Sequence, residues 1–241
     1  MRCPFGGALV ASAAMSSPSP QNIPRAVVTC GPGVAPIDAM RRITNFSSGE
    51  LGVRLTECLL EYGWEVACFK SEAATYRDPA GPNLLLGSFS TNEDLESQLR
   101  ALPEPEGVHI VFHAAALTDY RVVSVCTHEG EPLQAKKIPS HYAGLQIFLE
   151  PAAKLLPGLG TLFPAARIVG WKFELDGDRA SALEKGRNQL RENGSSLCVV
   201  NGAALGSGFR ILDPQGAQHE AQTRSELCNW LANWASRLML S

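Results

Sequence analysis

From Arg25 onward, short apolar runs alternate with amphipathic stretches, and this alternation limits the possible folds more than any other feature of the chain. AVVTC at 26–30, WEVACFK, LLLGSF, VHIVFHAAA at 108–116, RIVGWKF and SLCVVN are nearly continuous in apolar or small residues, as strands buried on both faces require. Between them lie helical patterns. Residues 48–62 place Leu51, Leu55, Cys58, Leu59 and Tyr62 on one face, and Gly63 closes the helix. STNEDLESQLRAL opens on a serine or threonine cap with acids in its first turn. A helix over 152–162, a polar helix over 179–192 and a last helix over 225–238 follow, the last with Leu227, Trp230, Leu231 and Trp234 inward. The pattern predicts an α/β fold over 25–241: a single doubly wound, mostly parallel, Rossmann-like sheet. FRILDPQGAQHEA predicts a hairpin turning at Pro214-Gln215-Gly216. Residues 122–142 lack periodicity, carry Gly130, Pro132, Pro139 and a lysine pair, and read as a mobile flap.

Composition narrows the class. At 241 residues with 45% hydrophobic and 19% charged side chains, the chain is long enough and apolar enough for one full core. A net charge of −3 gives no footprint for nucleic acid. The seven cysteines (Cys3, Cys30, Cys58, Cys68, Cys126, Cys198, Cys228) are scattered and never spaced C-x-x-C. That argues against a zinc site or disulfide framework and for a reduced, cytoplasmic protein. The apolar run over 5–15 is broken by glycine and lightly charged, so residues 1–24 read as a disordered extension rather than a signal peptide, with Met15 an alternative start. No stretch is long enough to cross a membrane.

Ligands of such sheets bind beyond the carboxyl ends of the strands. Four ends carry unusual residues: Gly31-Pro32-Gly33, the neighbourhood of Asp119, Lys172 with Glu174, and Asn201. Ahead of the first helix stands NFSSG, more small polar groups than one cap needs, at the place where backbone donors point outward and favour an anion. G-x-G-x-x-G and G-x-x-x-x-G-K-S/T are both absent, which disfavours a nicotinamide reductase of Rossmann type.

PIDAMRRITNFSSGELG resembles the pattern P-I/L-D-x-V/M-R-x-I/L-x-N-x-S-S-G-x-x-G of phosphopantothenoylcysteine synthetase. AAALTDYR, KKIPS, VGWKFELD and VVNGA resemble further segments of that family in the same order, so the resemblance runs from about Val27 to Leu238. It is closer to the stand-alone type, which implies no flavin. The resemblance implies a ligase that joins 4′-phosphopantothenate to L-cysteine with ATP or CTP and Mg²⁺, through an acyl nucleotide, as a homodimer whose flap elements complete the site. It places Asn45 at the reacting carboxylate and Lys137 at the α-phosphate, with Lys136 as adjacent competitor. Arg41, Gly31, Ser47, Ser48 and Gly49 fall to the substrate phosphate, with Ser48 also able to cap. His113, Ala114 and Ala115 offer backbone groups to the nucleotide, Trp171 stacks on its base or packs as a core aromatic, and Lys172, Lys185 and Asn201 complete its site, with a solvated helix face the alternative for Lys185 and a turn cap for Asn201. Asp119 binds it through Mg²⁺ or serves as a turn cap.

Several positions depart from the family pattern. Gly33 replaces a threonine, Glu50 stands where a basic residue is usual, Arg42 replaces an apolar neighbour, and Pro139-Ser140 replace two lysines. Gly33 and Glu50 motivate an alternative: a nucleotide-binding module that kept the cleft and lost the ligase chemistry.

Overall fold

The computed structural model describes residues 23–239, so the expected N-terminal extension lies outside them except for its last two residues. In chain order the elements are β1 (Arg25–Cys30), β2 (Val34–Pro36), β3 (Arg42–Thr44), α1 (Glu50–Glu61), β4 (Glu65–Ser71), β5 (Leu84–Phe89), α2 (Asn92–Arg100), β6 (Val108–His113), β7 (Tyr120–Thr127), β8 (Leu145–Pro151), α3 (Leu156–Leu162), β9 (Arg167–Phe173), α4 (Arg179–Asn193), β10 (Leu197–Asn201), β11 (Phe209–Leu212), β12 (Gln218–Ala221) and α5 (Arg224–Leu238). The central sheet runs β12-β11-β10-β9-β6-β1-β4-β5. Its strands from β10 to β5 are parallel, and the β11–β12 hairpin adds an antiparallel edge. Strand order reverses between β1 and β6, which makes the crevice at their carboxyl ends the topological switch point.

The continuous apolar runs are explained by two cores. Along β1, Val28 faces the cluster made with Leu55 and Leu59 of α1 and Leu227 and Leu231 of α5. Its neighbour Val27 faces Leu95 and Leu99 of α2 and Leu159 of α3. Helix α4 extends the second face by packing Ala182, Leu183 and Leu190 on Cys198, Val200 and Leu212. Each buried valine or leucine among them contributes about 1.5–3 kcal/mol.

Three sequence expectations shift. Helix α1 starts at Glu50, because Gly49 at its N-cap is left-handed (φ 78°), and Tyr62 is 46% exposed at the C-cap while Val53, Thr56 and Leu60 join the buried face. Helix α3 starts at Leu156 rather than 152, because Pro157 lacks a backbone N–H and fits only a first turn. The expected flap begins as strand β7, paired antiparallel with β8, and a register shift between Val122 and Ser124 erases the alternation that would have revealed it. The predicted cap of α2 and the hairpin turn form as expected, and α5 gains a threonine cap of the same kind. Thr91 and Thr223 accept from the N–H groups of Asp94 and Glu226.

Candidate active site

At the switch point the end of β1 and the loop after β6 are stitched together by backbone. Ala114 N–H donates to Thr29 O (3.0 Å), Ala116 N–H to Gly31 O (2.9 Å) and Gly33 N–H to Ala116 O (3.1 Å). Asn92, 3% exposed, holds the same loop by donating to Thr118 O (2.8 Å) and accepting from Thr118 N–H (3.2 Å). Gly31 (φ 86°) and Gly49 (φ 78°) sit in left-handed turns, and a methyl on either would lie 2.8 or 3.0 Å from Ala74 Cβ. The loop after β4 therefore closes directly over both turns.

Beside this seam opens a cleft of about 490 Å³ lined by Pro32, Arg42, Thr44, Asn45, Phe46, Ser47, Ser48, Ala73 and Thr75. Asn45 Nδ2 donates to Leu117 O (2.8 Å), which orients its amide and leaves Oδ1 without a protein donor among the described residues. Ser48 Oγ accepts from Glu50 N–H (3.3 Å), and Ser48 O from Tyr76 N–H (3.0 Å). Among the described residues, the N–H groups of Leu51 and Gly52 have no protein acceptor, and the N-cap contributes no side-chain bond. An anion is the natural partner of such a helix start. Glu50, the acid beside it, is turned away: its carboxylate pairs with Arg54 Nε (2.8 Å) and lies 3.8 Å from Arg224 Nε.

Arg41 and Arg42 divide differently from expectation. Arg41 binds Asp38 Oδ2 through Nε (3.0 Å) and Nη2 (2.5 Å) and donates to Ile138 O (2.5 Å), whereas Arg42 lines the cleft. Asp38, whose side chain is fully shielded, also accepts from Ile138 N–H (3.1 Å), and Ala39 N–H donates to Lys136 O (2.9 Å). The hydrogen bonds from Arg41 hold the Asp38 carboxyl well below the usual range. Lys137 is exposed between these two anchored residues.

The His113 side chain is 8% exposed and shares a hydrogen bond with Thr29 Oγ1 (2.8 Å); burial lowers its pKa to about 4, so it is neutral. Ala115 packs against the second core. Asp119 is exposed, and its carbonyl accepts from Ala152 N–H (2.8 Å). Trp171 packs on the α1–α5 core with its indole nitrogen buried and unpartnered, while Phe173 and Leu175 stand 61% and 62% exposed beyond it. Lys172 and Lys185 converge on Glu174, and Asn201 O accepts from Glu174 N–H (2.9 Å). Of the predicted residues, Gly31, Asn45, Ser47, Ser48 and Gly49 gather around the cleft, and Lys172, Asn201 and Lys185 of α4 meet at Glu174 beyond β9 and β10, whereas Arg41, His113, Ala114, Ala115, Asp119, Lys137 and Trp171 belong to neither group.

Sequence reasoning missed Thr44, Ala73, Thr75, Asn92 and Phe173. Thr44 Oγ1 donates to Gly33 O (2.8 Å), and a Cβ on Gly33 would fall 2.7 Å from Asn92 Oδ1, so a threonine there would have to displace the Asn92 amide. Arg42 and Thr44 had a readable signal, since both lie within the motif. Ala73 and Thr75 reach the cleft only through the sheet topology.

A family model described as the DNA/pantothenate metabolism flavoprotein C-terminal domain matches residues 22–227. The coenzyme A biosynthesis bifunctional protein CoaBC of Thermococcus kodakarensis is 30% identical over 183 residues, covering 73% of this chain and 41% of that protein. CoaBC of Mycobacterium tuberculosis is 28% identical over 192 residues, covering 77% and 43%. The chain therefore spans less than half the length of these relatives. Among solved structures, the DNA/pantothenate metabolism flavoprotein of Streptococcus pneumoniae superposes with a TM-score of 0.78 at 23% identity, covering 89% of this chain and 99% of that one. A Cab2 mutant in complex with phosphopantothenate-cysteine superposes with a TM-score of 0.67 at 17% identity, covering 91% and 88%. These likenesses establish the fold.

Proposed function

The chain belongs to the DNA/pantothenate metabolism flavoprotein C-terminal domain family, and from that premise we propose that it is a phosphopantothenate–cysteine ligase of coenzyme A synthesis. One observation carries the reading: the Asn45 amide, fixed by Leu117 O, stands in one cleft with Ser47, Ser48 and a helix start whose Leu51 and Gly52 N–H groups have no acceptor among the described residues, at the strand switch point. The cleft offers an anion site and an oriented amide dipole side by side. A phosphorylated carboxylic acid needs both.

In the first half-reaction the carboxylate of 4′-phosphopantothenate attacks the α-phosphorus of ATP or CTP, and pyrophosphate leaves with the electron pair of the broken P–O bond. In the second the L-cysteine amine attacks the acyl carbon and the nucleoside monophosphate leaves. Ser47, Ser48 and the α1 N-terminus hold the pantothenate phosphate, with Arg42 across the cleft. Asn45, anchored on Leu117 O, turns its second amide hydrogen, which makes only a 3.4 Å bond to Ala116 O, onto the carboxylate oxygen and meets the charge there. Lys137 supplies a cation at the α-phosphate, and Lys172 and Lys185 supply two for the polyphosphate. Among the described residues, no three acidic, histidine or cysteine side chains cluster as a metal cage. Asp119, exposed after β6, would hold Mg²⁺ together with the substrate's own oxygens, and the ion would screen the triphosphate charge.

Exposed Val123, Ile147, Phe148 and Leu149 on the β7–β8 ribbon support a homodimer. The module reading loses its motive, because Glu50 is paired away from the cleft and Thr44 supplies a hydroxyl beside Gly33.

The test is pyrophosphate release with Mg²⁺, 4′-phosphopantothenate and cysteine, run separately with ATP and CTP, with product mass in each. Substrate-dependent release with the cysteine adduct is expected. Nucleotide binding without release would sink the ligase and revive the module.

A further inference from the structure

Glu174 follows β9 directly, and its backbone is locked on both sides. Its N–H donates to Asn201 O (2.9 Å), its carbonyl accepts from Ala204 N–H (3.1 Å), and a methyl on Gly202 would lie 2.2 Å from that same oxygen. The side chain is only 12% exposed. Oε1 lies 3.2 Å from Lys172 Nζ and Oε2 2.5 Å from Lys185 Nζ. Burial alone would raise this carboxyl, but the hydrogen bonds from Lys185 and Lys172 outweigh it and hold the group below its ordinary range. The cluster is therefore one fixed anion between two cations on long, partly exposed stems, one from a strand and one from a helix.

A carboxylate that needed only a structural partner would be satisfied by one lysine. Two lysines that needed only to attract anions would be better served by no carboxylate between them. Three charges in this arrangement carry a net +1 and can exchange partners without moving backbone.

We propose that Glu174 is a positioning residue for the polyphosphate of the nucleotide: it holds the Lys172 and Lys185 ammonium groups at the end of β9, yields them to the incoming β- and γ-phosphates, and recaptures them so that pyrophosphate leaves. Only ion pairs exchange in the clamp; the P–O bond breaks in the first half-reaction described above. The identity of the leaving group rests on the ligase reading, whereas the polyanion exchange rests on the cluster itself.

Glu174→Gln keeps the size and one acceptor oxygen and removes the competing charge. Calorimetric titration with inorganic pyrophosphate should give a Kd at least tenfold lower than wild type. Steady-state kinetics should show kcat and the nucleotide KM falling together, with stronger product inhibition by pyrophosphate. Lys185→Gln, on the surface of α4, should weaken pyrophosphate at least tenfold and serves should Glu174→Gln fail to fold. Unchanged or weaker pyrophosphate affinity in folded Glu174→Gln, or unchanged affinity in Lys185→Gln, would overturn the exchange and leave Glu174 a packing group. A wild type that binds pyrophosphate, responds to Glu174→Gln and forms no amide would remove the ligase and leave the clamp standing. A wild type that forms amide while its pyrophosphate affinity ignores both variants would do the reverse.

Discussion

Around β1 and α1 the cleft is walled by hydrogen-bonded turns, in which Ala114, Ala116 and Gly33 spend their N–H groups on one another's segments and the Asn45 amide hangs from Leu117 O. At the ends of β9 and β10 the working groups are charged side chains whose partners are each other, Lys172 and Lys185 on Glu174. The first wall holds its geometry before any ligand arrives; the second holds a charge balance that a ligand can displace. A site divided this way orients the reacting carboxylate on the rigid side and admits and releases polyphosphate on the exchangeable side.

The contrast breaks most visibly at Asn45. If the rigid side orients the reaction, Asn45→Ala lowers amide formation by about 10²–10³-fold, the scale of one lost oxyanion donor, with stability nearly unchanged. Turnover within a fewfold of wild type, in a quenched single-turnover assay, would remove the residue from the chemistry.

The same wall is sensitive to acid through His113, which is buried against Thr29 beneath it. Its pKa is about 4 in the folded chain, while the unfolded chain takes its proton near 6.5. Stability is therefore full above pH 6.5, falls as pH drops towards 4 and levels below that, for up to about 3 kcal/mol. Urea melts across this window should show the slope in wild type and a shallower one in His113→Leu; equal slopes would mean the group titrates normally.

Gly31→Ala tests the turn itself. The left-handed φ and the close approach of Ala74 and Ser71 together should cost about 2 kcal/mol by chemical denaturation.

The smallest effects separate the adjacent arginines. Arg41→Ala should lose about 1 kcal/mol of stability, because it releases Asp38 and Ile138 O. Arg42→Ala should leave stability within about 0.5 kcal/mol and raise the phosphopantothenate KM about tenfold. The opposite assignment would show that the order in the motif, not the contact, decides which arginine meets substrate.

The parallel core was legible because a strand buried on both faces, such as 26–30, leaves a continuous apolar run that no surface element imitates. The β7–β8 ribbon was not, since a register shift and the exposure of both faces of β8 remove both periodicity and hydrophobic contrast. Within the site, NFSSG was readable as a surplus of polar groups ahead of a helix. Which of Arg41 and Arg42 faces the cleft was not, because Asp38 lies three residues before one arginine and Ile138 lies far along the chain. Trp171 follows the same rule: its motif position was plain, but its ring is directed by the α1–α5 core, and Phe173 becomes the exposed aromatic.

The shielded carboxylate of Asp38 has one more consequence. By gripping Ile138 N–H and Arg41 while Ala39 takes Lys136 O, it sets the position of Lys137 from both sides, independently of the ribbon that leads there. The turn over 128–130, outside the hydrogen bonds that tie Glu131 and Leu133 to β7, can then gain or lose residues over evolutionary time, or accept an inserted tag, without resetting where that lysine stands. One carboxylate thus uncouples the length of the ribbon from the placement of its cargo, and it leaves room for lineages to vary the turn freely while the chemistry stays in register.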